Sequence, residues 1–223
     1  MDYGLLAACP LFEGIAPREL PDAVAALSPV VRDYEKNQTV LMQGDPPCGI
    51  GLLITGTALV VKDDFWGRRS IVTSLKHGDL FAEAFACAHV PELPVSVIAT
   101  APSQALFFSL DRLLEGSRRF QQLQNVCASL LRIVARKNLA LLRVSALLSR
   151  RTIRERVLGY LSSCAEQESS REFAIPMNRQ QMADFLAVDR SALSAELSRM
   201  KADGLIDFHK NRFVLNQSEP KLL

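Results

Sequence analysis

The stretch Asn178–Ile206, NRQQMADFLAVDRSALSAELSRMKADGLI, decides the fold of the carboxyl-terminal part of this chain. Its pattern predicts two short helices joined by the turn Leu186-Ala187-Val188. The side-chain oxygen of Asn178 can cap the first helix, and Asp189 can cap the second. The second helix buries one stripe of residues at i, i+4 and i+7, which are Leu193, Leu197 and Met200.

The other face of the second helix is small and polar and is free to meet a partner, with Arg190, Ser191, Ser194, Ala195 and Ser198. Two helices with a tight turn between them are the layout of a helix-turn-helix, whose second helix lies in the DNA major groove. A hairpin follows, with Leu205–Phe208, a turn at residues 209–211 and Arg212–Leu215, so we expect a winged helix-turn-helix. The wing-tip residues His209, Lys210 and Arg212 can reach phosphate, although a merely solvated hairpin tip explains them equally well.

The charge of the chain is strongly divided between its two halves. Residues 1–110 carry 7 Lys and Arg against 12 Asp and Glu, whereas residues 111–223 carry 19 against 12. The basic half contains the predicted helix-turn-helix, and a basic surface favours binding to phosphate.

The amino terminus has neither a basic start nor a long apolar run, so we expect a cytoplasmic protein with no membrane anchor. The five cysteines are scattered and form no zinc-like or iron–sulfur-like spacing, namely Cys9, Cys48, Cys87, Cys127 and Cys164. We therefore expect reduced and mostly buried thiols, with redox sensing by a cysteine as an alternative.

In the first half of the chain, the residue pattern predicts a short helix at 16–27 and then a small β-sandwich or barrel. Turn residues separate the predicted strands Val30–Tyr34, Thr39–Met42, Ile50–Thr55, Thr57–Lys62, Arg69–Leu75, Val95–Ala99 and Ala105–Ser109. A helical insertion at 81–89 can cap a pocket.

The second half begins with a short helix, Asp111–Glu115, and then a long one. Residues 117–148 contain neither Gly nor Pro. Apolar residues recur near the three-four spacing of a helix, and they are Phe120, Leu123, Cys127, Leu130, Val134, Leu141, Val144 and Leu148. This stripe predicts the seam of a two-helix dimer, and a core helix within one chain is the alternative. A further helix, 152–166, leads into a polar linker at 167–171.

This order of elements resembles the CRP/FNR family of bacterial transcription regulators. The supporting residues are Ile54-Thr55-Gly56, Gly78-Asp79-x-Phe81-Ala82-Glu83, Arg179-Gln180-Gln181-Met182-Ala183, Asp189-Arg190-Ser191-x-Leu193-Ser194 and Gly204-Leu205-Ile206. The resemblance implies an α+β chain in three parts. These are a cyclic-nucleotide-binding-like β-roll (jelly roll) that senses an effector over residues 1–116, a dimerisation helix over 117–148, and a DNA-binding winged helix-turn-helix over 149–223.

The resemblance also shows where this chain departs from the members that bind cyclic AMP. Those members are similar in carrying a Glu for the ribose and an Arg-Ser pair for the phosphate. Glu83 stands at the Glu position, but the Arg-Ser positions fall on Leu93 and Pro94. Because burying a phosphate charge without a cation costs several kcal/mol, we do not expect cyclic AMP.

The chain also lacks the residues that would bind the other cofactors of the family. Cys9 stands alone, whereas the iron–sulfur members group several cysteines near the amino terminus. Only His77 and His89 could bind haem, so neither cofactor is expected. The resemblance places an effector pocket, of unknown ligand, among Phe81, Glu83, Phe85, Val95, Val97, Val134 and Leu141. A filled roll core without a ligand is the alternative, in which Glu83 hydrogen-bonds backbone.

The expected function is therefore a homodimer that reads a pseudo-palindromic site on double-stranded DNA and also contacts RNA polymerase. Arg190 is the expected base contact, because arginine can donate two hydrogen bonds to guanine. Ser191 and Ser194 are weaker readers, and Arg179, Arg199, Lys210 and Arg212 hold phosphate. Many members of the family that this chain resembles carry a second arginine at the position of Ala195. Because this chain lacks that arginine, we expect it to bind a different operator sequence from theirs.

An enzyme is the competing class of function. The sequence has no catalytic triad, metal cluster, phosphate loop or G-x-S-x-G motif. The remaining alternative is a DNA-binding dimer whose roll binds no effector and serves only dimerisation or polymerase contact.

Overall fold

The structure is a computed structural model, and it describes residues 2–216. Of these, the residues up to Lys137 form one compact unit, and those from Asn138 to Asn216 form another. The boundary falls inside the long helix α5. Among residues 2–216, no helix combines the length and apolar character that crossing a bilayer requires.

The first unit is built on two four-stranded antiparallel sheets. The helices are α1 (Tyr3–Ala7), a 3-10 turn (Pro10–Phe12), α2 (Leu20–Ala26), α3 (Glu83–Cys87) and α4 (Leu110–Ser117). The strands are β1 (Val30–Tyr34), β2 (Thr39–Leu41), β3 (Ile50–Thr55), β4 (Ala58–Asp63), β5 (Arg69–Leu75), β6 (Leu80–Phe81), β7 (Ser96–Ala99) and β8 (Ser103–Phe108). The sheet orders are β1-β8-β3-β6 and β2-β7-β4-β5. The predicted β-roll is confirmed.

Strand β3 separates two apolar cores because its side chains alternate between the two faces of its sheet. Leu53 faces the roll interior, together with Phe81, Val97 and Phe107. The opposite face of β3 packs beneath the helices, and this second core contains Ile50, Leu52, Ile54, Leu113, Leu123, Val126 and Leu130. Side chains therefore fill the interior of the roll on one face of β3, and the helices cover the opposite face.

Helix α5 (Gln121–Leu148) continues the first unit and enters the second. The predicted seam stripe does not form one exposed face, because Leu123 and Leu130 are buried in the chain's own core. Leu131, Leu139, Leu141 and Leu142 are exposed instead. The first half of that stripe is thus intramolecular, since the sheet supplies an apolar surface that local spacing could not reveal.

The second unit contains α6 (Ile153–Glu168), β9 (Glu172–Ala174), α7 (Arg179–Phe185), α8 (Arg190–Ala202), β10 (Ile206–His209) and β11 (Arg212–Leu215). Strand β11 lies between β10 and β9 in an antiparallel sheet. The sequence predicted the β10–β11 hairpin and missed β9. The polar residues around 167–171 hid this short strand, whose burial rests on Phe173 alone.

Candidate nucleic-acid interface

Helix α7 begins with the cap that the sequence predicts. The side-chain oxygen of Asn178 accepts a hydrogen bond from the backbone N–H of Gln181 at 3.0 Å. The side-chain oxygen of Gln181 in turn accepts from the backbone N–H of Asn178 at 2.8 Å. This reciprocal pair is a capping box, and it fixes where the first helix of the motif starts.

The turn between α7 and α8 is held from outside the motif by Arg156 of α6. Ala187 lies in the left-handed region, with φ of 52°. The Arg156 guanidinium donates to the carbonyl oxygens of Leu186 at 3.1 Å and Ala187 at 3.3 Å. Sequence reasoning missed Arg156, because it lies about thirty residues from the turn and belongs to no local pattern.

Helix α8 buries the predicted stripe completely, since Leu193, Leu197 and Met200 are all 0% exposed. The opposite side of the helix is open. Arg190 and Ser191 are exposed at its first turn, and Ser194 is half-buried one turn later. Among residues 2–216, the Arg190 side chain has no hydrogen bond or ion pair, so its guanidinium is available to a partner.

Asp189 occupies the cap position of α8 without capping the helix through its side chain. Its backbone is extended, as an N-cap requires, but its carboxylate makes no capping hydrogen bond. The expected cap stabilisation of about 1 kcal/mol is therefore not provided by this side chain.

Arg199, on the flank of α8, donates to Glu196 at 3.2 Å, and its side chain stays 70% exposed. The wing carries two further exposed cations. Lys210 lies at the hairpin tip with φ of 55°, and Arg212 pairs with Glu172 at 3.3 Å. Both arginines are about 70% exposed and make ion-pair contacts longer than 3 Å, so Arg199 and Arg212 can exchange a carboxylate for a phosphate.

Arg179 differs from these cations because it is half-buried against the wing. Its guanidinium lies 5.2 Å from the ring centre of Phe208 and 5.6 Å from that of Phe213. It also donates to the carbonyl oxygen of Lys210 at 3.2 Å. Burial lowers the pKa of the Arg179 guanidinium from its ordinary value. The side chain therefore ties α7 to the wing.

The start of α7 and the tip of the wing enclose an open groove of about 550 Å³. Its lining consists of Pro176, Met177, Asn178, Arg179, Gln181, Lys210 and Asn211. Two of the seven residues are cationic and three others carry side-chain amides, so the groove offers donors suited to a phosphate backbone.

The first unit holds an ion pair with a buried carboxylate where the sequence places a pocket. Glu83 is 5% exposed, and one of its carboxylate oxygens lies 2.8 Å from the ammonium of Lys137 on α5. The same ammonium donates to the carbonyl oxygen of Leu80 at 2.7 Å. Glu83 thus already has a cationic partner, which the sequence did not reveal because 54 residues separate the two.

The structure brings together only some of the predicted effector-pocket residues. Phe81, Phe85 and Val97 share the roll core, where the Phe81 ring meets that of Phe107 edge-on at 5.6 Å. Val95 is buried as well. Val134 instead packs in the core beneath the helices, and Leu141 is 69% exposed.

Comparison with known families agrees with this geometry in both units. Residues 31–119 match the model of the cyclic nucleotide-binding domain, and residues 155–220 match that of the Crp-like helix-turn-helix domain. The chain belongs to the CRP/FNR family of transcription regulators. This CRP/FNR protein is similar to the transcriptional activator FnrL of Cereibacter sphaeroides, with 26% identity over 201 residues, which are 86% of this chain and 78% of FnrL.

Solved structures share the fold of this CRP/FNR protein. The catabolite activator protein of Thermus thermophilus is 22% identical, with a TM-score of 0.52 and coverage of 92% of this chain and 93% of that one. The c-di-GMP-responsive regulator CLP of Xanthomonas campestris is 16% identical, with a TM-score of 0.56 and coverage of 89% and 100%. CprK in complex with OCPA is 16% identical, with a TM-score of 0.58 and coverage of 89% of both chains.

By its resemblance to the members that bind cyclic AMP, this chain has the apolar residue Leu93 at the position of their phosphate-binding arginine. Leu93 is 2% exposed and belongs to the roll core. The Lys137 charge does not replace that arginine, because Glu83 already balances it. A buried phosphate would therefore add an unmatched negative charge to this core.

Proposed function

We propose that this transcription regulator acts as a homodimer whose two α8 helices enter successive major grooves of a pseudo-palindromic operator. The half-sites of such an operator are about 34 Å apart, or one helical turn of DNA. The observation that carries the proposal is the exposed Arg190 at the first turn of α8, which has no partner within the described residues 2–216 and lies on the side opposite a fully buried stripe.

The side chains around α8 have distinct roles in this proposal. Arg190 donates to the O6 and N7 atoms of a guanine, while Ser191 and Ser194 make weaker base contacts. Arg199, Lys210 and Arg212 hold phosphates. Arg179 acts mainly through the wing, since its contacts with Phe208 and with the Lys210 carbonyl fix the position of that tip.

The dimer forms along α5 in this proposal. Leu131, Leu139 and Leu142 lie within about 80° of one another around the helix, and each is more than half exposed. Exposed leucines that share one helix face favour pairing with an equivalent helix. RNA polymerase is the expected further partner of the bound dimer.

Selection of duplexes from a random library, followed by footprinting, tests the DNA-binding part. The proposal expects one enriched motif with two inverted half-sites, each containing a guanine that Arg190 contacts. Enrichment of a single half-site without its inverted copy would contradict binding as a dimer. No enrichment at all would contradict sequence-specific recognition.

The roll has two candidate roles in this regulator. In the first, it senses a small effector other than cyclic AMP and changes the affinity for DNA. In the second, it binds no effector and serves dimerisation or polymerase contact. The Lys137–Glu83 pair favours the second role, because it satisfies the buried polar carboxylate that an effector would contact.

A thermal-shift screen of the purified protein against metabolites, with native mass spectrometry of the untreated sample, separates the two roles. A roll without an effector predicts no shift of the melting temperature, and a native mass equal to that of the two chains of the proposed dimer with nothing added. A co-purified small molecule, or a metabolite that raises the melting temperature by several degrees, would establish the sensing role. Repeating the screen with an oxidant tests the redox alternative.

A further inference from the structure

A single arginine of α6 bridges two carboxylates, one on helix α8 and one on the residue that caps its carboxyl end. The Arg154 guanidinium donates to Glu196 at 2.6 Å and lies 2.7 Å from the carboxylate of Asp203. The two acids are seven residues apart, which is about two helical turns or 10 Å along α8. Arg154 reaches both acids from one position because its planar fork directs Nε to Glu196 and a terminal nitrogen to Asp203.

Glu196 divides its two oxygens between two arginines. One oxygen accepts from Arg154, and the other lies 3.2 Å from Arg199 on the next turn of α8. The Glu196 side chain is only 13% exposed, so its charge needs a close cationic partner. The shorter contact comes from Arg154, which leaves the 70% exposed Arg199 only loosely held.

This arrangement has a direct consequence for the contacts of α8 with phosphate. If Glu196 lost Arg154, its whole charge would attract Arg199, and the cation proposed to hold phosphate would be withdrawn. We propose that Arg154 is a positioning residue for DNA binding, which anchors α8 to α6 and keeps Arg199 available to the DNA backbone. This inference rests on the proposed function, because it assigns Arg199 to a phosphate.

The salt dependence of DNA binding tests this role of Arg154 directly, because it measures the number of phosphate contacts. The logarithm of the binding constant falls with the logarithm of salt concentration, with a slope of about −0.9 for each phosphate contact. Arg154→Met keeps the apolar stem of the side chain and removes its charge. We expect it to weaken binding of the full chain to a 30-bp duplex of random sequence, and to reduce the slope by about 0.9 per protomer.

A second substitution separates this role from simple structural damage. Glu196→Gln removes the charge that would capture Arg199, so the Arg154→Met/Glu196→Gln double variant should recover the wild-type slope. Arg154→Lys serves as the conservative control. Its single ammonium replaces the two separate nitrogens with which Arg154 contacts Glu196 and Asp203, so we expect an intermediate slope.

The single Glu196→Gln variant tests the inference even if the Arg154→Met variant does not fold. In this variant Arg199 is freed, and we expect the affinity for the random duplex to rise about two- to fivefold. The additional substitution Arg199→Ala should abolish that gain. A wild-type slope in folded Arg154→Met, or a gain in Glu196→Gln that survives loss of Arg199, would overturn the inference. Failure of the wild-type chain to bind duplex DNA would instead refute the proposed function.

Discussion

The Lys137 ammonium and the Glu83 carboxylate join the long helix α5 to the first turn of α3 by an ion pair of 2.8 Å. Lys137 is half exposed, with 47% of its side chain accessible, whereas Glu83 is 7% accessible. The two partners therefore respond differently to substitution, because only the acid is deeply desolvated. This asymmetry allows the pair to be tested in the folded protein.

Lys137→Met should destabilise the protein more than Glu83→Gln does. The first change leaves a buried carboxylate unpaired, and we expect a loss of about 1–3 kcal/mol after allowing for the exposure of Lys137. The second leaves an amide that can still accept from the ammonium. Urea denaturation at neutral pH measures both. The double variant is the control and should recover part of the loss, while equal stability of Lys137→Met and wild type would show that the pair contributes nothing.

Leu142→Glu should convert the proposed dimer into a monomer, because it places a charge among the exposed leucines of α5. Ala140→Glu is the matched control. It lies on the same helix, is also exposed, and points about 160° away from Leu142. Light scattering after gel filtration gives the mass. Dimeric Leu142→Glu, or dissociation by Ala140→Glu alone, would place the interface elsewhere.

Cys9 should resist alkylation in the folded protein. It is 1% exposed, its thiol donates to the Leu5 carbonyl oxygen at 3.4 Å, and burial raises its pKa to about 11. Cys48 and Cys87 are exposed, but desolvation raises the pKa of each thiol, so few thiolates are present at neutral pH. Slow labelling of these two by iodoacetamide is expected. A thiol that reacts rapidly with peroxide and thereby changes DNA affinity would support redox sensing.

The raised pKa of Cys9 also predicts a loss of stability in alkali. The folded-state pKa of about 11 exceeds the ordinary value of 9.0. The stabilisation is therefore complete below pH 9 and is lost as the pH rises toward 11. By pH 10 the loss is about 1 kcal/mol. Comparison with Cys9→Ala isolates it from other titrations, since the variant should lack this component. Identical pH profiles would contradict the assignment.

The sequence predicts α8 and its surroundings well because their evidence is local. Asn178 caps α7, and the buried stripe of α8 has the spacing that its burial confirms. The part of α5 that lies in the first unit shows the limit of this reasoning. Its apolar spacing is the same whether the partner is a second helix or the chain's own sheet, and the sheet takes Leu123 and Leu130.

The contacts that position the candidate sites were not predictable, since they join residues distant in sequence. Arg154 reaches Glu196 across 42 residues, and Lys137 reaches Glu83 across 54. Neither arginine nor lysine is unusual on a helix, so only tertiary structure distinguishes a bridging cation from a solvated one. Asp189 shows the reverse case, in which a good local signal for a cap was not used by the side chain.

The binding of Arg190→Ala to an operator selected by the wild-type protein tests the central claim most directly. Fluorescence anisotropy should show a loss of about 1–3 kcal/mol per contacted half-site on the operator. Binding to a random duplex should change much less, and repeated selection should show relaxed preference at one base pair in each half-site. An equal loss on the operator and on random DNA would contradict the account, because it would make Arg190 a phosphate contact.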